Sequence, residues 1–185
     1  MMQDSEQLKN LLLTQRMDFR YTGDDLRFSG KTALDIAVMT YVDAINLLLK
    51  GPSKDEKIMK RALYLAIKHN SPEAIKLLIA DGAQVRSGLY KAVQLRQDET
   101  IQALIDNGYG VDLLGAAIGC CCEGVIKKIS DVVDVRSTNK NGQTALLLAA
   151  EHERFDLIKL LLGRSSDVEA VDNKGRTALN IAAYA

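Results

Sequence analysis

The residues best suited to nucleophilic, acid–base or metal chemistry are few in this 185-residue chain. They are three adjacent cysteines, Cys120, Cys121 and Cys122, and two histidines, His69 and His152. Nucleophilic catalysis needs a nucleophile, a base and an orienting group at one place, and the two histidines are far apart in the sequence. Metal-binding cysteines are usually spaced about two to four residues apart and joined by a second pair. The sequence therefore predicts no catalytic residue, no cofactor site and no metal site.

The cysteines and a nearby lysine pair each allow two interpretations. Cys120–Cys122 fall on a predicted turn between helices, where an exposed thiol can be oxidised or acylated. The alternative is a turn of small residues with one thiol packed inward. Lys127 and Lys128 occupy apolar positions of a predicted helix. They form either a basic site for an acidic partner or a register shift that leaves both side chains in solvent.

The overall composition limits the classes of partner. Lys plus Arg and Asp plus Glu both number 24, so the net charge is zero. This balance argues against nucleic acid or an anionic membrane as the partner. Aromatic residues make up 5% of the chain with no Trp, so no small-molecule substrate is expected. The N-terminus (MMQDSEQLKN) lacks the features of a secretory signal, and adjacent cysteines cannot cross-link distant segments. A reducing, cytoplasmic location is the best fit.

A short pattern recurs along most of the chain. Residues 142–146 (GQTAL) return 33 positions later as residues 175–179 (GRTAL), and a period of this length is typical of repeat proteins. A leucine followed three residues later by alanine marks the same position in six successive copies of the pattern. The first five copies are each followed by a second apolar segment, such as residues 158–162 (IKLLL). This spacing predicts pairs of short helices that bury their apolar faces only by stacking on the next pair. The six anchors are Leu34/Ala37, Leu63/Ala66, Leu89/Ala92, Leu113/Ala116, Leu146/Ala149 and Leu179/Ala182.

Polar residues and glycines mark the ends of the predicted helices. Thr32, Thr144 and Thr177 are positioned to accept hydrogen bonds from the free N–H groups of a first helical turn. Ser71 and Pro72 suit the cap and the first position of another helix. Glycines that follow the second helices are expected to end them in a left-handed conformation. These glycines are Gly51, Gly82, Gly108 and Gly163.

These motifs resemble ankyrin repeats. The resemblance implies an all-α fold, an ankyrin-repeat solenoid of stacked helix-turn-helix units with short β-hairpin fingers near the ends. The usual proline after the threonine is alanine here, and the usual histidine is replaced by Asp35, Leu147 or Asn180. The threonine–histidine bond of the family is therefore expected to be absent, which predicts less rigid repeats. The match is strong over residues 138–185, good over 28–50 and 61–85, and weak over 86–135.

The resemblance also predicts how the array is organised. Full fingers are expected at residues 18–30, 136–142 and 170–175, whereas the connections after Ile79 and Ile105 are too short for them. A single array is predicted over residues 1–185, with a partial repeat at 5–27, repeats at about 28–60, 61–85, 86–110, 111–137 and 138–170, and a partial repeat at 171–185.

The final residues (ALNIAAYA) have the pattern of a first helix without a second helix after it. Leu179, Ile181 and Ala182 are therefore expected at an uncovered end, since terminal repeats usually carry a polar outer face. The chain is accordingly expected to be a piece of a longer array.

The resemblance implies a non-enzymatic module that binds another protein through the concave face of the stack. The alternative is the recognition arm of a larger enzyme or pathogen effector whose catalytic domain lies outside this chain, because repeats with shortened hairpins resemble those of pathogen ankyrin proteins. The location would then be the host cytosol. The predicted partner-binding residues are Tyr64, Lys68, His69, Tyr90, Gln94, Glu151, His152, Asn139, Lys140, Asn173 and Lys174. For Tyr64 and Tyr90 the alternative is a partly buried core position. For His69 and His152 it is a surface position at a helix end without a partner.

Overall fold

The computed structural model describes residues 31–50 and 55–184, and these are mostly helical. The predicted all-α class is confirmed. The predicted partial repeat at 5–27, the finger at 18–30 and the helix stop at Gly51 lie outside the described residues. The helices are α1 (Ala33–Thr40), α2 (Val42–Leu49), α3 (Glu56–Lys68), α4 (Pro72–Ala80), α5 (Arg86–Leu95), α6 (Asp98–Leu104), α7 (Gly110–Gly119), α8 (Glu123–Val132), α9 (Ala145–Glu151), α10 (Phe155–Gly163) and α11 (Ala178–Tyr184).

The described residues form two compact bodies that divide between Ala92 and Val93. In the N-terminal body, α1 packs against α2 and α3, and α4 packs against α2 and α3. In the C-terminal body, α7 packs against α6, α8 and α9, while α9 also contacts α10 and α11, and α8 contacts α10. Within each body, short helices therefore pair and then stack on the next pair, which is the arrangement predicted from the repeat.

The core of each body is built from the leucine–alanine anchors. In the first five copies every anchor residue is at most 5% exposed. The second helices add Ile45, Ile75, Ile101 and Ile126, which are all buried. Neither member of an anchor can reach the core unless its helix lies against a neighbour, so this burial follows from stacking.

The last copy of the anchor differs. Leu179 is 78% exposed and Ala182 is exposed as well, as predicted for an uncovered end. The prediction was wrong for Ile181, which is only 5% exposed and packs against Leu147 and Ala150. Ile181 lies on the side of α11 that faces α9, so the preceding repeat buries it without any helix after α11.

The three predicted threonine caps are present, and two of them are stronger than predicted. The hydroxyl Oγ1 of Thr32 accepts a bond from the Asp35 N–H at 3.2 Å, and the Asp35 carboxylate accepts one from the Thr32 N–H at 2.9 Å. Thr177 and Asn180 make the same reciprocal pair at 3.2 and 3.1 Å. The threonine–histidine bond is absent as predicted, but Asp and Asn complete a capping box in its place at these two sites.

The third cap and two other helix ends follow different rules. Thr144 accepts only from the Leu147 N–H at 3.4 Å, since an apolar Leu147 cannot return the bond. Ser71 precedes α4 but its side chain makes no cap bond, and Pro72 alone fits the predicted role. Gly163 was also predicted wrongly. It ends α10 in helical conformation, and Ser165 takes the left-handed conformation instead, with φ 59°.

Alanine at Asp35 is expected to lower the free energy of unfolding by about 2 kcal/mol, because it leaves the buried Thr32 N–H without an acceptor. It also removes the ion pair between Asp35 Oδ2 and Arg61 Nε at 3.2 Å, in which Asp35 is fully buried. Asn180→Ala removes the equivalent box at an exposed position and should lose only about 0.5 kcal/mol. Urea unfolding compares the two variants, and equal losses would contradict the role given to burial.

Candidate functional site

Four of the predicted partner-binding residues lie in the N-terminal body, on the exposed sides of α3 and α5. Tyr64 is 41% and Tyr90 is 52% exposed, and Lys68 and His69 are exposed at the end of α3. The opposite side of each helix carries the buried anchors. Stacking therefore orders these side chains while it leaves them open to solvent.

The other predicted residues lie in the C-terminal body and are exposed, except for the half-buried Asn139. Gln94 is in the last turn of α5. Glu151 and His152 lie where α9 ends, and Asn139, Lys140, Asn173 and Lys174 belong to two finger turns.

The two fingers share one local design. In the first, the side-chain Oδ1 of Asn139 accepts from the N–H groups of Asn141 and Gln143 at 2.9 and 3.0 Å. In the second, Asp172 Oδ1 accepts from the N–H groups of Lys174 and Arg176 at the same two distances. Each finger is thus a tight turn that a side chain closes from inside. Asn139 is consequently needed to shape the first finger.

The fingers also contact each other. The Asn173 N–H donates to the carbonyl of Asn141 at 2.9 Å, and the Asn173 side chain donates to the carbonyl of Lys140 at 3.1 Å. Gly142 and Gly175 complete the turns with φ of 73° and 75°. Lys140 and Lys174 remain exposed, so each finger presents a cation. As predicted, the connections at 81–85 and 105–109 form no finger.

A polar network joins the fingers to the end of α9, and the sequence did not predict it. The Gln143 side chain donates to Glu151 at 2.6 Å, and the Arg176 guanidinium lies 3.7 Å from Glu151 and 2.7 Å from Asp172. The bond from the Arg176 backbone N–H, followed by the Arg176 side chain, holds the pKa of Asp172 below its ordinary value. The signal was present in the 33-residue period, which aligns Gln143 with Arg176 and Asn139 with Asp172. The network holds Glu151 in place at the surface.

The cysteine turn lies between α7 and α8, as predicted. Cys121 is exposed with φ 52°, whereas Cys120 and Cys122 are half-buried and all three are free thiols. Two thiols are therefore partly packed inward, and one is open to solvent. Burial first, and then the neighbouring Cys122 and Cys121, raise the pKa of the Cys120 thiol, which lowers the fraction of reactive thiolate at neutral pH.

The lysine pair of α8 is divided between two environments. Lys127 is exposed, while Lys128 is half-buried and forms an ion pair with Asp98 at 2.5 Å. Lys128 therefore joins α8 to the start of α6. In the part of the chain that the structure describes, no group of three or more His, Cys, Asp or Glu residues is placed to hold a metal ion.

A further exposed surface lies beside α11. Leu162, Val168 and Leu179 are 45%, 51% and 78% exposed and line an apolar groove with Ile158 and Ala182. The groove forms where the last leucine–alanine anchor has no following helix over it within the described residues. Among these residues, none of the helices has the length and apolar character needed to span a bilayer.

Comparison with known families matches residues 89–185, just over half of the chain, to the model described as ankyrin repeats (3 copies). The chain belongs to the ankyrin-repeat family. Ankyrin repeats are protein–protein interaction modules. The match includes residues 89–135, where the sequence motifs were weakest.

Among similar proteins, the ankyrin-repeat chain is 26% identical to the mouse B-cell lymphoma 3 protein homolog over 83% of its length, and 27% identical to the human B-cell lymphoma 3 protein over 81%. It spans 41% and 32% of these two relatives. Its fold is similar to the crystal structure of the ankyrin repeat domain of Bcl-3, a unique member of the IkappaB protein family. The TM-score is 0.50 at 20% identity, over 95% of this chain and 86% of that one. This likeness establishes the fold.

Proposed function

We propose that this ankyrin-repeat chain is a non-catalytic module that binds another protein on the exposed faces of its first helices and on its finger turns. The exposure of Tyr64 and Tyr90 on helices whose opposite sides are buried carries the proposal. Tyrosine is frequent in binding hot spots because it offers a large apolar area and a polar tip. The further proposed contacts are Lys68, His69, Gln94, Asn139, Lys140, Glu151, His152, Asn173 and Lys174.

The chemistry of the surface supports a binding role. Lys140 and Lys174 present charges from turns that internal bonds already order, so little backbone entropy is lost when a partner contacts them. Glu151 is likewise held by Gln143 and Arg176. The raised pKa of Cys120 works against a nucleophilic role for this thiol.

Substitution of both Tyr64 and His69 by alanine is expected to weaken partner binding by about tenfold or more. The melting temperature should change little, since both side chains are exposed. Partners would be captured from cell extract with the wild-type protein, identified by mass spectrometry, and titrated against each variant.

A matched control replaces Phe155 and Lys159 with alanine. Phe155 is 68% exposed and both residues lie on a second helix, α10, so this variant should keep full binding. Undiminished binding by the Tyr64/His69 variant would refute the first-helix assignment. An equal loss in both variants would refute it as well.

A second candidate function is that of a recognition arm within a larger enzyme or effector. The relevant observation is that the chain spans less than half of each curated relative. This function would be favoured by a longer gene product that has an activity which this chain lacks. Binding by that product should also be abolished by the Tyr64/His69 change. We place the chain in the cytoplasm, or in the host cytosol for a pathogen effector. The three free thiols support a reducing compartment, and a fluorescent fusion tests the location.

A further inference from the structure

Positive charge is concentrated on two of the first helices of this chain, α3 and α5. Helix α3 carries Lys57, Lys60, Arg61 and Lys68, against a single acidic residue, Glu56. The first helices α1, α7, α9 and α11 contain no lysine or arginine. Because the whole chain has zero net charge, the cations of α3 form a local feature and do not reflect a generally basic protein.

The cations of α3 lie on one side of the helix. Lys57, Lys60, Tyr64 and Lys68 follow each other at intervals of three or four residues, which places them along one exposed face. All four are exposed. The three lysines have no ion-pair partner among the described residues, whereas Arg61 is paired with the buried Asp35. Glu56 precedes Lys60 by one turn and neutralises part of the charge at the N-terminal end of the face.

The next first helix, α5, packs closely against α3. Gly88 of α5 lies so close to Ile67 of α3 that a Cβ atom at this position would be 2.4 Å from Ile67 Cδ1. On the outer side of α5, Arg86 and Tyr90 are exposed one helical turn apart. The glycine therefore allows two first helices to pack closely, and each contributes one exposed tyrosine among cations.

We infer that this surface, the α3–α5 stripe (Lys57, Lys60, Tyr64, Lys68, Arg86 and Tyr90), binds an acidic segment of a partner protein. The inference rests on the proposed function and specifies the chemistry of the partner. Carboxylates of the segment pair with the three lysines and Arg86, and its apolar side chains lie on the two tyrosine rings. Opposite charge at an interface selects the partner and accelerates association.

The stripe fits an acidic protein segment better than a nucleic acid. A protein that neutralises many phosphates binds DNA with a large cation surplus over a broad surface, whereas the stripe is narrow, contains Glu56 at its edge and belongs to a chain of zero net charge. The tyrosines also alternate with the cations along the helices, which suits a segment that mixes carboxylates with apolar side chains.

The test is selection of a random peptide library displayed on phage against the wild-type protein. Selected peptides are expected to be enriched in Asp and Glu together with an apolar residue. Their affinity should fall by about tenfold or more for Lys60→Glu combined with Lys68→Glu, and it should also fall as the salt concentration rises. Each affinity is measured by fluorescence anisotropy with a labelled synthetic copy of a selected peptide.

The control variant combines Lys76→Glu with Lys159→Glu. It changes the net charge equally, but its exposed lysines lie on the second helices α4 and α10, and peptide affinity should change by less than about twofold. If both variants lost the same peptide affinity, the effect would come from the net charge of the protein and not from the stripe, and the inference would be overturned.

Other results separate the inference from the proposed function. Neutral or basic peptides that depend on Tyr64 would overturn the acidic-partner inference and leave the proposed function standing. If the selected peptides bound with unchanged affinity to the Tyr64/His69 variant and to the Lys60/Lys68 variant, the inference and the proposed function would both be contradicted. Duplex DNA and phosphatidylserine vesicles are tested in the same way. If either bound as tightly as the best peptide, and lost the same affinity on Lys60→Glu and Lys68→Glu, the partner could not be assigned as a protein.

Discussion

Replacing Leu146 with alanine is expected to lower the free energy of unfolding by about 3 kcal/mol, whereas the same change at Leu179 should alter it by less than about 0.5 kcal/mol. The two leucines hold the same position in copies 33 residues apart, yet Leu146 is 3% and Leu179 is 78% exposed. Removing Leu146 leaves a cavity between α9 and its neighbours, while removing Leu179 only shortens a side chain in solvent. Urea unfolding followed by circular dichroism measures both.

Leu179 is the matched control for Leu146, since both precede an alanine by three residues in helices of seven residues. Similar losses for the two variants would mean that α11 is covered in solution, for example by self-association through the groove beside Leu162 and Val168. Sedimentation of the wild-type protein would reveal such an assembly directly.

Alanine at Gly142 is expected to lower the free energy of unfolding by about 2–3 kcal/mol, and alanine at Gly175 by about 1 kcal/mol. Both glycines have φ near 75° and both variants incur the cost of a left-handed alanine. At Gly142 a Cβ atom would also lie 2.4 Å from Asn173 Oδ1 and 2.9 Å from the Asn173 backbone nitrogen, whereas at Gly175 nothing lies within 4 Å. The first change must therefore disrupt the bond from the Asn173 N–H to the Asn141 carbonyl.

The difference between the two glycine variants isolates the contact between the fingers. Thermal or urea unfolding gives the stabilities, and hydrogen exchange at the Asn173 amide reports the bond itself. Faster exchange at Asn173 is expected in Gly142→Ala and unchanged exchange in Gly175→Ala. If both variants lost the same free energy of unfolding and the Asn173 amide exchanged at the same rate in both, the contact between the fingers would not contribute to stability.

Much of the fold was predictable from residue types and spacing. The Leu34/Ala37 anchor and its copies indicated the first helices, and the isoleucine-led segments indicated the second ones. The left-handed conformations of Gly82 and Gly108 were predicted from the rule that a glycine after a helix allows the chain to leave it. Ser71 and Gly163 show the limit of such rules. The Ser71 side chain does not make the bond that its position permits. At the end of α10 the left-handed conformation falls on Ser165, two residues after Gly163.

The candidate site was predictable in its exposure but not in its connections. The predicted partner-binding residues of α3 and α5 lie at the surface, and their role in binding stays a prediction. For Tyr64 and Tyr90 the register beside Leu63 and Leu89 left a partly buried core position open, and the structure shows both exposed. The bonds of Glu151 with Gln143 and Arg176 were not foreseen. The three residues are separated in sequence, and they meet only when one finger stacks on the next.

The starts of the threonine-capped helices could be predicted from the sequence alone. Their signals are a capping threonine, its partner Asp35 or Asn180, and apolar residues three to four positions apart. These signals act within one or two helical turns. Tertiary structure decided which of two equivalent residues contributes to stability. Leu146 and Leu179, or Gly142 and Gly175, are nearly indistinguishable in their local sequences. They differ because burial and close approach depend on whether a neighbouring repeat packs against that surface, and the local sequence of a repeat does not contain this information.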